Sequence, residues 1–175
     1  MLVVRYGAGD WGVGELGFDG AVPVWHELPT PTMTLHPPSG RGGTTAPTRT
    51  LSSAGARPGD DSVPELARRV ARYFLGDEVA FGDVALDLEW CTPFQRAVAE
   101  ALRTVPYGET VTYGELAALA GYPNAQRAAG TFCARNRLPL ILPCHRVVAA
   151  GGLGSFGSLG GGYKCRLLEL ERAAV

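Results

Sequence analysis

Two stretches decide how this chain reads: TYGELAALAGYPNAQRAAG, residues 112–130, and LILPCHRVVAAGG, residues 140–152. In the first, Thr112-Tyr113-Gly114-Glu115 has the form of a capping box and opens a short helix that Gly121 closes. Gly121-Tyr122-Pro123-Asn124 is a tight turn, and Asn124 is predicted to cap a second helix, AQRAAGTFCAR, ending near Asn136. Two short helices across such a turn have the dimensions of a helix-turn-helix. Arg127 falls in the first turn of the second helix, where such folds carry their reading residues. Many helical hairpins never touch DNA, so the pattern needs support from elsewhere. In the second stretch, LPLILP over 138–143 is predicted to be a buried extended run that delivers Cys144, set between a proline and a histidine. That cysteine can be core filler, a metal ligand or a nucleophile.

Working outward, residues 1–29 read as short strands with turns at Ala8-Gly9-Asp10 and Asp19-Gly20, an antiparallel meander. From Pro29 to Ser62, 22 of 34 residues are Pro, Thr, Ser or Gly, which predicts a loop or disordered insertion with little to bury. VPELARRVARYFLGD then resumes helical spacing, with Leu66, Val70, Tyr73 and Phe74 on one face and Gly76 as a stop. After a short extended stretch, VALDLEW, the domain boundary is expected near Trp90, giving domains over 1–90 and 91–175. Thr92-Pro93-Phe94-Gln95 is a second capping box with Pro at the first helical position, and Phe94, Val98 and Leu102 repeat down that helix. The loop Ala149–Tyr163 has seven glycines in fifteen residues. A last helix, YKCRLLELERA, is expected to bury Leu167, Leu168 and Leu170.

Composition narrows the function classes. The 175 residues suit one large domain or two small ones, and 46% hydrophobic content is enough for a core. No apolar run approaches the roughly 18–20 residues of a membrane span, and the N-terminus shows no signal-peptide pattern. Cysteines 91, 133, 144 and 165 form no C-x-x-C pair, so reduced thiols in a cytoplasm are expected rather than a disulfide framework. The net charge of −1 does not mark a nucleic-acid binder, but it is unevenly spread. Residues 1–86 carry net −3 and residues 87–175 net +2, and Arg127, Arg135, Arg137 and Arg146 stand between Tyr122 and Val148 with no acid among them. Such a face attracts phosphates or is simply solvated.

Three motif matches fail on physical grounds. Gly152–Gly157 fits G-x-G-x-x-G, but too little chain follows for a second parallel strand. Gly157–Lys164 resembles a P-loop, with Tyr163 displacing the lysine and no Ser/Thr after it. His26, His36 and His145 have no metal-ligand spacing with the cysteines, so no metal site and no cofactor are expected. A cysteine beside an apolar run is by itself more often structural, and its neighbours are what favour a nucleophile here.

PCHRVV at 143–148, after NRLPLIL and the helix-turn-helix pattern, resembles the O6-alkylguanine-DNA alkyltransferase (methylated-DNA–protein-cysteine methyltransferase) family. The likeness is specific from about Thr92 to Glu171; before that it rests on YGAGDWGVGELGFDG and VWHELP. It implies an α+β fold, with a small ribonuclease-H-like α/β domain followed by a mostly helical, winged-helix-like domain. By this resemblance Cys144 is the alkyl acceptor, and His145 and Glu171, with an ordered water, activate it. Asn136 braces the turn before the active-site segment, and Tyr113 rotates the target phosphate and hydrogen-bonds the purine. Arg127 fills the vacated base stack, with Gln126, Ala128 and Arg135 as further DNA contacts. Val147, Val148, Phe156, Gly157 and Ser158 line the guanine pocket, with Phe156 in place of the usual tyrosine.

The implied partner is double-stranded DNA carrying O6-alkylguanine or O4-alkylthymine, met by a monomer in a prokaryotic cytosol or nucleoid. The implied reaction is stoichiometric, because an S-alkyl thioether offers water no activated carbon. Leu159 and small length shifts in the glycine loop depart from the family pattern, as does the 29–62 insertion. Two other readings stand beside this one. A non-catalytic lesion-sensing DNA binder is disfavoured by the presence of Cys144, and a cysteine hydrolase lacks an oxyanion motif.

Overall fold

The computed structural model describes residues 1–31, the backbone of residues 48–50, and residues 65–173. It divides into two compact units, Met1–Asp77 and Glu78–Val175.

In the first unit, β1 (Leu2–Gly7), β2 (Val13–Asp19) and β3 (Val22–Thr30) form the predicted antiparallel meander. Alternation works as expected on β1: Val4 and Tyr6 are buried, while Arg5 between them is exposed and pairs with Glu15 of β2. Tyr6 lies opposite Gly14, where a Cβ would collide with the phenol, so glycine is required at that register position. The 29–62 expectation needs correction. Pro29 and Thr30 complete β3, and β4 (Thr48–Thr50) adds to β1 in parallel, giving the order β3-β2-β1-β4. A three-residue strand is too short for its period to rise above a Pro/Thr/Gly-rich background. The rest of that expectation, over 32–47 and 51–62, lies outside the described residues.

Helix α1 (Glu65–Phe74) buries Leu66, Ala67, Val70, Tyr73 and Phe74. Phe74 stacks on Tyr6 and meets Trp11, with ring centroids 6.2 and 5.2 Å apart. The helix ends at Gly76, whose φ of 94° lets its own amide reach Tyr73 O and the Asp77 amide reach Arg72 O.

The second unit begins at Glu78, thirteen residues before the expected 91. Phe81 and Val84 are buried, and Arg103 donates to the carbonyls of Gly82 and Val84, tying this stretch to the helix that follows. That helix, α2 (Pro93–Thr104), has the predicted capping box in both directions and buries Val98, Ala99, Ala101 and Leu102. Phe94, expected on the same stripe, is only half-buried and meets Tyr122 edge-on.

Strand β5 (Val111–Thr112) runs straight into α3 (Tyr113–Leu119), capped by reciprocal Thr112–Glu115 bonds of 3.2 and 2.6 Å. After the turn, α4 (Gln126–Ala134) starts from Ala125 with no side-chain cap. Asn124, expected to cap it, instead adopts φ 71°, the left-handed conformation asparagine tolerates better than most residues. Residues 138–143 are not extended as predicted. Leu142 N bonds Leu138 O at 2.8 Å and Leu140 sits at φ 71°, so the apolar run is wound into a buried turn. Leucine and isoleucine at four of six positions fill a core equally well as a turn, and period alone does not separate the two. A single helical turn, Cys144–Arg146, then leads to β6 (Val147–Val148), parallel to β5. Finally α5 (Gly160–Leu170) starts three residues before Tyr163, recruiting glycines expected in the loop.

Thr112 is where α3 and its first residue, Tyr113, are set. Thr112→Ala is expected to cost about 1 kcal/mol through loss of the cap. Urea unfolding of the full chain measures this.

Candidate active site

Cys144 is buried, 6% exposed, at the start of the one-turn helix between the 138–143 turn and β6. Its position is held by Asn136, just past the end of α4. The Asn136 side chain accepts from Leu138 N at 3.0 Å, and its amide donates to Leu142 O at 2.7 Å and to Cys144 Sγ at 3.1 Å. One side chain thus braces the turn and touches the sulfur. Burial pushes the Cys144 thiol above its ordinary range, partly opposed by the Asn136 hydrogen bond and the Lys164 charge. The resting group is therefore a thiol at neutral pH.

Beside it, His145 is fully buried and its Nε2 lies 2.7 Å from Glu171 Oε1. Glu171 caps the C-terminus of α5 and is the hub of the site. Arg146 reaches it with Nε at 2.9 Å and Nη2 at 3.1 Å, and Nη1 of the same guanidinium donates to Val105 O at 2.7 Å. Gly108 N donates to Glu171 Oε2 at 3.1 Å from a backbone at φ 76°, which glycine supplies without strain. Burial would raise the Glu171 carboxyl, but His145 and Arg146 outweigh it and hold it at about 2. Burial lowers the His145 pKa, and Glu171 offsets part of that. At neutral pH the pair is a carboxylate and a neutral imidazole, the state in which a histidine can accept a proton.

Lys164, on α5, is fully buried, donates to Val147 O at 2.5 Å and lies 5.9 Å from the Tyr113 ring centroid. Burial lowers its pKa, while Cys144 and Cys133 raise it. A cavity of about 30 Å³ opens onto Cys144, lined by Tyr113, by Gly130, Cys133 and Ala134 of α4, and by Ser155, Phe156 and Gly157. Burial raises the Tyr113 hydroxyl pKa, helped by Cys133 and Cys144, so it stays a neutral donor. Cys133 is pushed up to about 12, chiefly by burial, so at neutral pH it stands in the cavity wall as a thiol.

Of the residues singled out in sequence, the structure gathers Cys144, Tyr113, Phe156 and Gly157 around this cavity, with Asn136, His145 and Glu171 behind it. Val147, Val148 and Ser158 are not among its lining residues; Val147 is fully buried and gives its carbonyl to Lys164. Gln126, Arg127 and Ala128 on α4 and Arg135 at its C-terminal end are all exposed. Sequence reasoning missed Arg146, Gly108 and Lys164. The lysine had one visible signal: it is the single Lys in a chain whose other cations are all Arg. All four cysteines are reduced, and among the described residues no group of three or more His, Cys, Asp or Glu could hold a metal.

The model of the family described as "6-O-methylguanine DNA methyltransferase, DNA binding domain" matches residues 93–173. A methylated-DNA–protein-cysteine methyltransferase of Mycolicibacterium paratuberculosis is 36% identical over 172 residues, 97% of this chain and 93% of that protein. One of Methanopyrus kandleri is 44% identical over 126 residues, 71% of this chain and 93% of the relative. The crystal structure of Mycobacterium tuberculosis OGT in complex with DNA superposes with a TM-score of 0.72 at 34% identity, covering 98% of this chain and 93% of that one.

Removing the Glu171 carboxylate leaves Arg146 buried without its anion. Glu171→Ala is expected to lose about 3–5 kcal/mol at pH 7. The folded carboxyl titrates near 2 against 4.5 when unfolded, so its contribution is complete above about pH 4.5 and vanishes as pH falls toward 2. Denaturant unfolding of both proteins across that window should show the gap between them closing.

Proposed function

The chain belongs to the methylated-DNA–protein-cysteine methyltransferase family, and from that premise we propose that it repairs O6-alkylguanine in DNA by moving the alkyl group onto Cys144. The observation that carries this reading is that one cavity is lined by both the Cys144 thiol and the helix-turn-helix residues Tyr113 and Gly130, with His145 and Glu171 directly behind.

With His145 Nε2 held by Glu171, the ring accepts the Cys144 proton at Nδ1 through a bridging water. The sulfur lone pair forms the S–C bond as the C–O6 bond breaks, and that bonding pair passes to the guanine ring. Tyr113 donates its hydroxyl proton to the ring, so the base leaves neutral. The proton held at His145 restores the phenol, and in sum the thiol proton ends on guanine. The product is a thioether with no activated carbon, so each chain acts once. No cofactor enters the balance.

A duplex hides the alkyl carbon, so the nucleotide must be extruded at a cost of a few kcal/mol, and Arg127 fills the gap. The cavity of about 30 Å³ has room for about one water, so the purine enters only when the Ser155–Gly157 wall moves aside. Glycines with positive φ at 154, 157 and 160 permit that movement. The finer architectural reading is a ribonuclease-H-like first unit, supported by a mixed sheet with a parallel fourth strand, and a winged-helix-like second unit, supported by α3, α4 and the β5–β6 pair. A monomer in the cytoplasm completes the proposal, its compartment being the one where free cysteines such as these four persist.

Incubation with an O6-methylguanine oligonucleotide should add one methyl to the intact mass, located on Cys144 and abolished in Cys144→Ser. Methyl on Cys133, or more than one turnover per chain, contradicts the assignment. Because burial depresses the His145 pKa, single-turnover rates should hold steady through neutrality and fall only below pH 6.5. An acid limb above pH 7 would remove His145 as the base. Arg127→Ala should slow repair of the duplex more than reaction with the free base.

A further inference from the structure

Helix α4 has a depression on each flank. Gly130, Cys133 and Ala134 face the small cavity with the nucleophile. Ala128, Thr131 and Arg135 face a larger groove of about 490 Å³, closed on its far side by Trp90 and the first turn of α2. Trp90 is 51% exposed, with the Arg137 guanidinium 5.9 Å from its ring centroid and its indole N–H fixed on Asp87 O at 2.9 Å. The indole is therefore oriented rather than loose. Half-buried Phe94 adds a second aromatic wall, and among the described residues no carboxylate lines the groove. Asp87 is turned toward its own chain, accepting from Glu89 N at 2.9 Å. Two arginines beside an exposed indole make a cationic, aromatic surface of the kind that takes a phosphate backbone and a base face.

A helix lying in a DNA groove has one strand on each side of it. The flank that carries Cys144 must hold the strand with the damaged base. We propose that the opposite groove, between α4 and Trp90, holds the complementary strand, with Arg135 and Arg137 on its phosphates and Trp90 against its sugar or base edge. This rests on α4 being the DNA-reading helix. The occupant follows from charge complementarity and from continuity with that helix.

Fluorescence anisotropy on undamaged duplex and single-stranded oligonucleotides would test the proposal without consuming Cys144. Arg137→Gln should lower duplex affinity roughly threefold to tenfold near 0.15 M salt and cut the salt slope by about one, while single-strand binding changes little. Trp90→Leu should weaken duplex binding with an unchanged salt slope. Equal losses on both substrates, or no loss, overturn the assignment. Unfolding midpoints identify a variant that merely fails to fold, and photocrosslinking the unaltered protein then decides. A 5-iodouracil near the lesion should give a Trp90 adduct from the complementary strand; an adduct from the lesion strand, or none, counts against it. Methyl transfer to Cys144 on the same duplex reports separately on the underlying reading, so a positive transfer without the adduct refutes only the groove.

Discussion

The second unit is organised around one ionised carboxylate that sees almost no water. Glu171 is 2% exposed, yet it holds its charge against a burial penalty because three groups from two distant parts of the chain converge on it. These are the His145 ring, the Arg146 guanidinium and the Gly108 amide, at 2.7 to 3.1 Å. A buried carboxylate with one partner fewer would be costly enough to protonate or to open the fold. The arrangement therefore fixes the end of α5, the turn carrying the cysteine and the loop after α2 together, because none can move without stranding a charge. What the sequence shows as a Glu near the end of the chain holds, in space, the His145–Arg146 turn that follows Cys144.

That constraint settles the division of labour between neighbours. Cys144 and His145 share the same deep burial, yet burial acts on them in opposite senses. It raises the thiol and lowers the imidazole, leaving both neutral at rest. A standing thiolate would meet oxidants and adventitious electrophiles throughout the life of the protein, and a chain that can react once has no second chance. In the proposed reaction, a proton kept on the resting sulfur ties reactivity to recognition.

The residues legible in sequence were those whose signal is local. Thr92/Gln95 and Thr112/Glu115 declare their helices within four residues, and both boxes form as written. Leu66, Val70, Tyr73 and Phe74 declare a buried face by spacing alone. Cys144 and His145 stood out by adjacency and by the motif around them. The errors came where the deciding contact is distant. Asn124 could not be known as a left-handed turn residue from the residues beside it, and the 138–143 run could not be known as a turn until Asn136 was seen gripping Leu138 and Leu142. The compact unit that carries the site begins at Glu78, and within it Arg103 on α2 reaches back to Gly82 and Val84 across a separation no local pattern reveals.

Lys164 shows how composition and geometry combine. Arginine serves at every other cationic position, on exposed α4 and at the buried Glu171 pair alike. Arg146 suits its place because a planar fork can bind both carboxylate oxygens and a carbonyl at once. The Lys164 site asks for something else: a compact charge that reaches Val147 O, stays near the Tyr113 ring and lowers the Cys144 pKa by field alone. A guanidinium there would bring three nitrogens fixed in one plane in place of the single, freely rotating Nζ. What this position uses is a compact ammonium that can turn to one carbonyl, and a planar fork built for two acceptors does not replace it.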